Sequence, residues 1–91
     1  ETLSLCWLDN PNVVIETVKK AEEGDALVLR LYEAGKTRGK VRLSFPFRLR
    51  KVYDCNLKEE ILDTLDIIDG NTVEFNIAPF EIKTLKVNYR K

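Results

Sequence analysis

The chain has 91 residues, of which 44% are hydrophobic and 33% are charged, and its 15 basic and 15 acidic side chains leave no net charge. A chain of this size folds as one domain around a modest core, and this composition excludes an intrinsically disordered segment. Neutrality argues against a dedicated nucleic-acid-binding protein, and no apolar run approaches the ~18 residues that span a bilayer, so we expect neither a nucleic-acid nor a membrane partner.

Apolar and polar side chains alternate along most of the sequence, which is typical of half-buried β-strands. Turn residues separate these stretches at residues 9–12, 23–25, 35–39 and 69–71. The pattern predicts an all-β fold: an antiparallel β-sandwich of two sheets, of immunoglobulin-like size and with about seven strands. The predicted strands are residues 3–8, two strands within 12–34, and residues 40–45, 48–56, 72–77 and 80–89.

Residues 12–34 read NVVIETVKKAEEGDALVLRLYEA and predict a hairpin with KKAEEGD as its turn. Both faces of this hairpin carry apolar side chains, although an antiparallel sheet in so small a domain usually exposes one face to water. Leu27, Leu29 and Leu31 share one face of the second strand, so we assign them to the core. We expect a larger protein to cover the opposite face, and the candidate interdomain contacts there are Val28, Arg30 and Tyr32.

The strand 40–45 has the clearest alternation, with Val41, Leu43 and Phe45 inward and cationic side chains outward. It lies in a stretch, residues 36–51, that holds seven basic residues and no acidic one. Such a row is either a solvated face with cross-strand ion pairs or a patch for an anionic partner, and we favour the ion pairs.

Two strands lose the alternation and so predict β-bulges. Leu49 and Val52 are out of step with each other, which predicts a bulge near residues 50–51. Ile82 and Leu85 are three positions apart, which predicts a second bulge in the last strand.

The segment 56–68 supports two structures. Asn56 followed by Glu59 resembles a helix capping box, and the apolar side chains that follow it have helical spacing. These features predict a short helix near residues 57–66. Residues 64–68 equally predict a short edge strand that leads into the Asp-Gly-Asn turn, so both alternatives stay open.

The residues that could carry chemistry are few. The chain has no histidine, which removes the commonest general base and the Ser-His and Cys-His nucleophile pairs. Cys6 and Cys55 cannot form a four-ligand zinc site, and we favour two buried thiols over a disulfide between them. The carboxylates that an acid/base role would need are Glu33, Asp54, Glu59 and Glu60, and we favour structural or solvated roles for all four.

Two aromatic residues could stack on a sugar ring. Trp7 lies in the apolar run LCWL, so we predict that it is buried. Tyr32 shares a face with Arg30, so we place it on the outer surface of its sheet or against a neighbouring domain.

Four stretches, taken in chain order, carry a resemblance to a known family: residues 12–34, the pair RG at 38–39, YDCNLKEE at 53–60 and PFEIKTL at 79–85. They resemble the C-terminal β-domain of the family 38 α-mannosidases, in the branch that includes cytosolic and prokaryotic enzymes. The likeness covers most of the chain. Ile61 stands where that family usually has proline after the Glu-Glu pair.

The resemblance implies that residues 1–91 are a single non-catalytic β-sandwich domain at the C-terminal end of a longer enzyme. In that family an upstream α/β barrel hydrolyses α-mannosides with retention of configuration, using an aspartate nucleophile and a zinc ion held by His and Asp. None of those motifs is in this sequence, so we expect no catalytic, cofactor-binding or metal-binding residue here and zinc in the parent's catalytic domain.

The resemblance also implies the partners and the location. We expect contact with the rest of the same polypeptide, that is, the catalytic barrel and other β-domains, and with α-mannoside substrate through the parent. A homo-oligomeric parent fits the resemblance as well, and we expect a role in carbohydrate catabolism in the cytoplasm.

Two functions of other classes are alternatives. A stand-alone carbohydrate-binding module would bind mannosides through exposed aromatic side chains. A basic-face module would bind an anionic partner with an affinity that falls steeply as salt rises.

Overall fold

The structure, a computed structural model, describes residues 6–21 and 26–90, and in these ranges it contains nine β-strands and no helix. The all-β prediction is therefore confirmed. Each of the seven predicted strands has a counterpart, and the two additional strands, Ile61–Leu65 and Ile67–Ile68, lie in the segment 56–68 that the sequence left open. The strands are β1 (Trp7–Leu8), β2 (Val13–Lys20), β3 (Ala26–Glu33), β4 (Gly39–Ser44), β5 (Leu49–Cys55), β6 (Ile61–Leu65), β7 (Ile67–Ile68), β8 (Thr72–Ile77) and β9 (Ile82–Tyr89).

The strands form two antiparallel sheets. One has four strands in the order β1-β4-β8-β7, and the other has five in the order β2-β3-β9-β5-β6. The predicted hairpin is present, since β2 and β3 pair from Val13–Glu33 to Lys20–Leu27. The last four residues of its predicted turn, 22–25, and the beginning of the predicted first strand, residues 3–5, lie outside the described residues.

The inner faces of both sheets build one core, as the alternation predicts. Leu29 and Leu31 of β3, Val41 and Leu43 of β4, and Phe45 are fully buried in it. Burying one such side chain contributes about 1.5–3 kcal/mol, so this core is the main source of stability. A Leu-to-Ala change at such a site typically costs about 2–5 kcal/mol.

The segment 56–68 is a strand region, and the helix alternative is wrong. The side-chain Oδ1 of Asn56 accepts hydrogen bonds from the backbone N–H groups of Lys58 and Glu60, at 2.9 and 3.0 Å. Glu59 then adopts a left-handed conformation, φ 66°, and the chain turns back into β6. A turn residue that accepts backbone N–H groups has the same local sequence as a helix N-cap, which is why the pattern was ambiguous.

One of the two predicted bulges is present. The pairing of β5 with β9 shifts between Leu49 and Lys51, as predicted. The bulge predicted in β9 is wrong, because the pairing of β9 with β3 has no register shift. Ile82 lies on the outer face and Leu85 in the core, so a separation of three residues is ordinary alternation between two faces.

Both cysteines are free thiols, as predicted. Cys6 lies in the core between the sheets, whereas Cys55 pairs with Thr84 on the outer face of the five-stranded sheet. Burial raises the pKa of Cys6 to about 11, so this thiol is unreactive at neutral pH. In the part of the chain that is described, no helix could cross a membrane.

Candidate interface on the five-stranded sheet

The three candidate interface residues lie together on the outer face of the five-stranded sheet. Their neighbours Leu29 and Leu31 point into the core, so the alternation of β3 places Val28, Arg30 and Tyr32 on the opposite face. Their accessibility differs, because the chain itself covers part of this face. The interface remains a prediction, and the geometry shows which part of it a partner can reach.

Val28 lies under the chain's own residues. It is only 2% exposed, and it lines a cleft together with Lys19, Lys86 and the turn residues Lys58 and Glu59. The Glu59 carboxylate lies 2.7 Å from the Lys19 ammonium and so ties this turn to β2 across the sheet face. We expected a larger protein to cover Val28, but residues of the β5–β6 turn of this chain cover it instead.

The other half of the face is accessible and apolar. Register places Val14, Tyr32 and Ile82 side by side on three neighbouring strands. Phe80 extends this row, with its ring centroid 6.5 Å from that of Tyr32. Ile82 is 43% exposed and Phe80 is 51% exposed, and Val14 is similarly exposed. We call these four residues the outer patch; grouped apolar exposure of this kind is typical of surfaces that contact another protein.

Arg30 borders the outer patch on the same face. Its guanidinium donates to the Thr84 hydroxyl and to the Leu57 carbonyl, each at 3.5 Å. Both hydrogen bonds are long, so this half-buried cation remains free to pair with a carboxylate of a partner.

Phe80 is held in a conformation that bulky residues rarely adopt. It is the third residue of the turn 78–81, which is closed by a 3.0 Å hydrogen bond from the Glu81 N–H to the Ala78 carbonyl. Its φ is 59°, as in a type II turn, where glycine or asparagine usually occupies this position. A left-handed conformation costs a residue with a side chain about 1–2 kcal/mol. Strain of this kind is frequent at functional sites and persists only when the surrounding structure holds it in place.

Glu33 helps to hold that turn in place. Its side chain is fully buried, and Oε1 accepts a hydrogen bond of 2.9 Å from the N–H of Phe80. Oε2 accepts from the N–H groups of Gly35 and Thr37 and from the Thr37 hydroxyl, at 2.9, 3.0 and 3.0 Å. A single carboxylate thus joins the β3–β4 loop to the turn that presents Phe80.

These hydrogen bonds also set the charge state of Glu33. Burial by itself raises the pKa, but the donors at Phe80, Thr37 and Gly35 outweigh it and lower the pKa from 4.5 to about 2. Glu33 is therefore ionised at any physiological pH, and its acceptor positions are already occupied.

The other candidate acids have separate partners. Asp54 accepts from the Lys83 ammonium at 3.3 Å, and Glu59 pairs with Lys19, which lowers its pKa. Glu60 accepts from the side-chain amide of Asn56 at 2.8 Å. Each carboxylate thus takes part in the packing of its own loop or strand. Among residues 6–21 and 26–90, no three Cys, Asp or Glu side chains converge as metal ligands.

The cations of β4 form cross-strand ion pairs, the alternative that the sequence favoured. Arg42 lies directly opposite Glu74 of β8, with a separation of 2.7 Å between Nη1 and Oε2. Lys40 approaches the other oxygen of Glu74 at 3.9 Å. Because this carboxylate offsets part of the charge, the strand is a weaker attractor for an anionic partner than the sequence suggests.

Trp7 is exposed, and the prediction of its burial is wrong. Its side chain is 59% accessible, whereas Cys6 on one side of it is buried and Leu8 on the other packs against the core. Side chains of an apolar run in an edge strand still alternate between the two faces. Trp7 therefore points outward, because Cys6 and Leu8 on either side of it point inward.

Sequence reasoning did not point to Phe80 or Glu33 as members of the candidate interface region. Phe80 carried one signal, namely its place after Pro79, since proline favours the second position of a type II turn. Glu33 carried none, because its partner Phe80 is 47 positions away in the chain.

Comparison with known proteins gives two matches. The family model of the glycosyl hydrolases family 38 C-terminal beta sandwich domain matches residues 12–85. Alpha-mannosidase G of Dictyostelium discoideum is 35% identical over 78 residues, a match that covers 81% of this chain and 7% of that protein. The chain thus spans a small fraction of the length of this relative. The two-sheet fold, the family model and the relative agree, and the chain belongs to the C-terminal β-sandwich domains of glycosyl hydrolase family 38.

Proposed function

We propose that this chain is the non-catalytic C-terminal β-sandwich of a zinc-dependent, retaining α-mannosidase of the cytoplasm, and that it docks on the rest of its polypeptide through the outer patch. The observation that carries the docking proposal is an apolar row in which Val14, Ile82 and Phe80 are exposed and flank the half-buried Tyr32. The name of the relative supports the proposed activity. The match covers only 7% of that relative, which supports a long polypeptide beyond this domain for the domain to contact.

The outer patch suits a permanent contact within one polypeptide. Its residues lie on paired strands or on a turn held by a buried carboxylate, so they are ordered before any partner arrives. Pre-ordered side chains lose little conformational entropy on docking. Arg30 beside them adds one cation, which would pair with a carboxylate of the opposing domain.

The proposed activity is tested on the full-length polypeptide that carries this chain. We expect it to hydrolyse 4-nitrophenyl α-D-mannoside, to lose activity when a chelator removes zinc, and to regain activity when zinc is added. Nuclear magnetic resonance of the first product should show α-mannose, because a retaining enzyme preserves the anomeric configuration. A purified, folded protein that leaves this substrate intact with zinc present would contradict the proposal.

A further inference from the structure

A second surface lies where β1, the β4–β5 loop and the β7–β8 turn meet. It is a cleft of about 450 Å³ that includes Trp7, Phe47, Arg48, Asp69 and Asn71 in its lining. That volume lies within the range of about 300–1,000 Å³ that small-molecule sites occupy. None of the outer-patch residues lines this cleft.

Packing and a hydrogen bond connect the walls of the cleft. Phe47 packs between Phe45 and Tyr89, with ring centroids 5.5 and 4.9 Å away. The Asn71 amide donates to the Phe45 carbonyl at 3.0 Å and so ties the β7–β8 turn to the β4–β5 loop. Asp69 and Gly70 both have positive φ, 55° and 80°, as a tight hairpin turn requires.

Three groups on these walls are available to a ligand. The Trp7 ring is largely exposed. The Arg48 guanidinium lies against Gly70, where Nη1 is 2.8 Å from the position that a Cβ would take. Among the hydrogen bonds and ion pairs of residues 6–21 and 26–90, none involves the side chain of Arg48 or Asp69. The cleft thus offers a flat apolar ring, a cluster of donors and an acceptor.

This combination selects one class of ligand. The opposite charges of Arg48 and Asp69 cancel, so the cleft has no net preference for an anion or a cation. A sugar ring has an apolar C–H face that stacks on an aromatic ring, and its hydroxyl groups both donate to a carboxylate and accept from a guanidinium. We propose that the Trp7 cleft is a saccharide-binding site that takes one neutral hexopyranose unit.

The proposal goes beyond the proposed function, since sugar binding at this cleft needs no catalysis. Affinity electrophoresis of the full-length polypeptide in native gels that contain yeast mannan measures it directly. We expect mannan to retard the wild-type protein relative to a gel without polysaccharide. Trp7→Ala should raise the dissociation constant roughly tenfold, which is the typical loss when an aromatic stacking platform is removed.

Two further variants make the result specific. Asp69→Asn should weaken retardation several-fold, because it removes the charged acceptor while asparagine still tolerates the positive φ of the turn. Leu62→Ala is the matched control, since Leu62 is also an exposed apolar residue but does not line the cleft. The control should migrate like the wild type.

The outcomes separate this proposal from the previous one. The Trp7→Ala variant should hydrolyse 4-nitrophenyl α-D-mannoside at the wild-type rate. If the full-length protein has no mannosidase activity, it should still bind mannan through the cleft. Wild-type protein that mannan does not retard overturns the proposal. Retardation that is the same for Trp7→Ala and the wild type also overturns it, because the sugar is then held elsewhere.

Discussion

Glu33 is a buried carboxylate whose partners among the described residues are all hydrogen-bond donors, three N–H groups and one hydroxyl. Both terminal atoms of the side chain must therefore be hydrogen-bond acceptors. A glutamine at this position would present an NH₂ group to one or more of these donors, so at least one hydrogen bond would be replaced by a repulsive contact. The residue therefore acts through local structure, by holding two loops in their positions.

We predict that Glu33→Gln lowers the midpoint of thermal unfolding of this chain by roughly 10 °C at pH 7. The effect is large for the replacement of one oxygen by an NH₂ group because the substitution disrupts a buried polar network. Circular dichroism during heating measures it. Glu16→Gln is the control, because Glu16 is an exposed glutamate of β2, and its midpoint should stay within about 2 °C of the wild type. Equal midpoints for the two variants would contradict the role given to Glu33.

The lowered pKa of Glu33 adds a pH dependence with a definite sign. Because the folded pKa, about 2, is below the ordinary value of 4.5, the stabilisation from the ionised carboxylate is fully present above pH 4.5 and is lost as pH falls towards 2. The difference in midpoint between wild type and Glu33→Gln should therefore shrink across this window. A difference that stays constant from pH 7 to pH 2.5 would show that the charge of Glu33 is not what stabilises the loops.

At the scale of elements, regular alternation was enough to predict most strands and their inward faces. In β4, for example, only one orientation of the strand buries both Val41 and Leu43. Prediction failed where one local pattern has two structural solutions. Asn56 with its following glutamates suits a helix start as well as a hairpin turn, and only the pairing of β6 with β5 selects the turn.

The candidate interface was predictable only in part, for a similar reason. The sequence shows that Val28, Arg30 and Tyr32 share a face, but burial of Val28 depends on a turn that lies about 30 positions further along. The exposure of Trp7 was also hidden, because apolar neighbours in a short edge strand do not indicate which of them faces solvent.

The turn that covers Val28 gives a prediction for the β5–β6 element. Asn56→Ala removes three side-chain hydrogen bonds, to the Lys58 and Glu60 N–H groups and to the Glu60 carboxylate. We expect the free energy of unfolding to fall by about 1–2 kcal/mol, since water competes for these partly exposed groups. Urea unfolding measures it, and Asn76→Ala on the outer side of β8 is the control. If the two alanine variants unfold at the same urea concentration, Asn56 does not organise the turn.

At the scale of the whole molecule, the outer face of the five-stranded sheet is divided. One half is covered by the chain's own β5–β6 turn, and the other half, the outer patch, is apolar and exposed. The cleft at Trp7 lies among different loops and is lined by other residues, so docking and sugar binding would not compete for the same side chains.

The central claim is that the outer patch is buried against the rest of the polypeptide, and a charge placed in the patch tests it most directly. The measurement is the thermal unfolding midpoint of the full-length protein with Ile82→Lys, compared with Leu62→Lys on the edge strand β6. Both residues are exposed in this chain, but a lysine enclosed at an interface costs several kcal/mol, whereas one in water costs about 0.5 kcal/mol or less. We predict that Ile82→Lys lowers the midpoint by several degrees more than Leu62→Lys does; equal midpoints would show that the outer patch faces solvent and would contradict the claim.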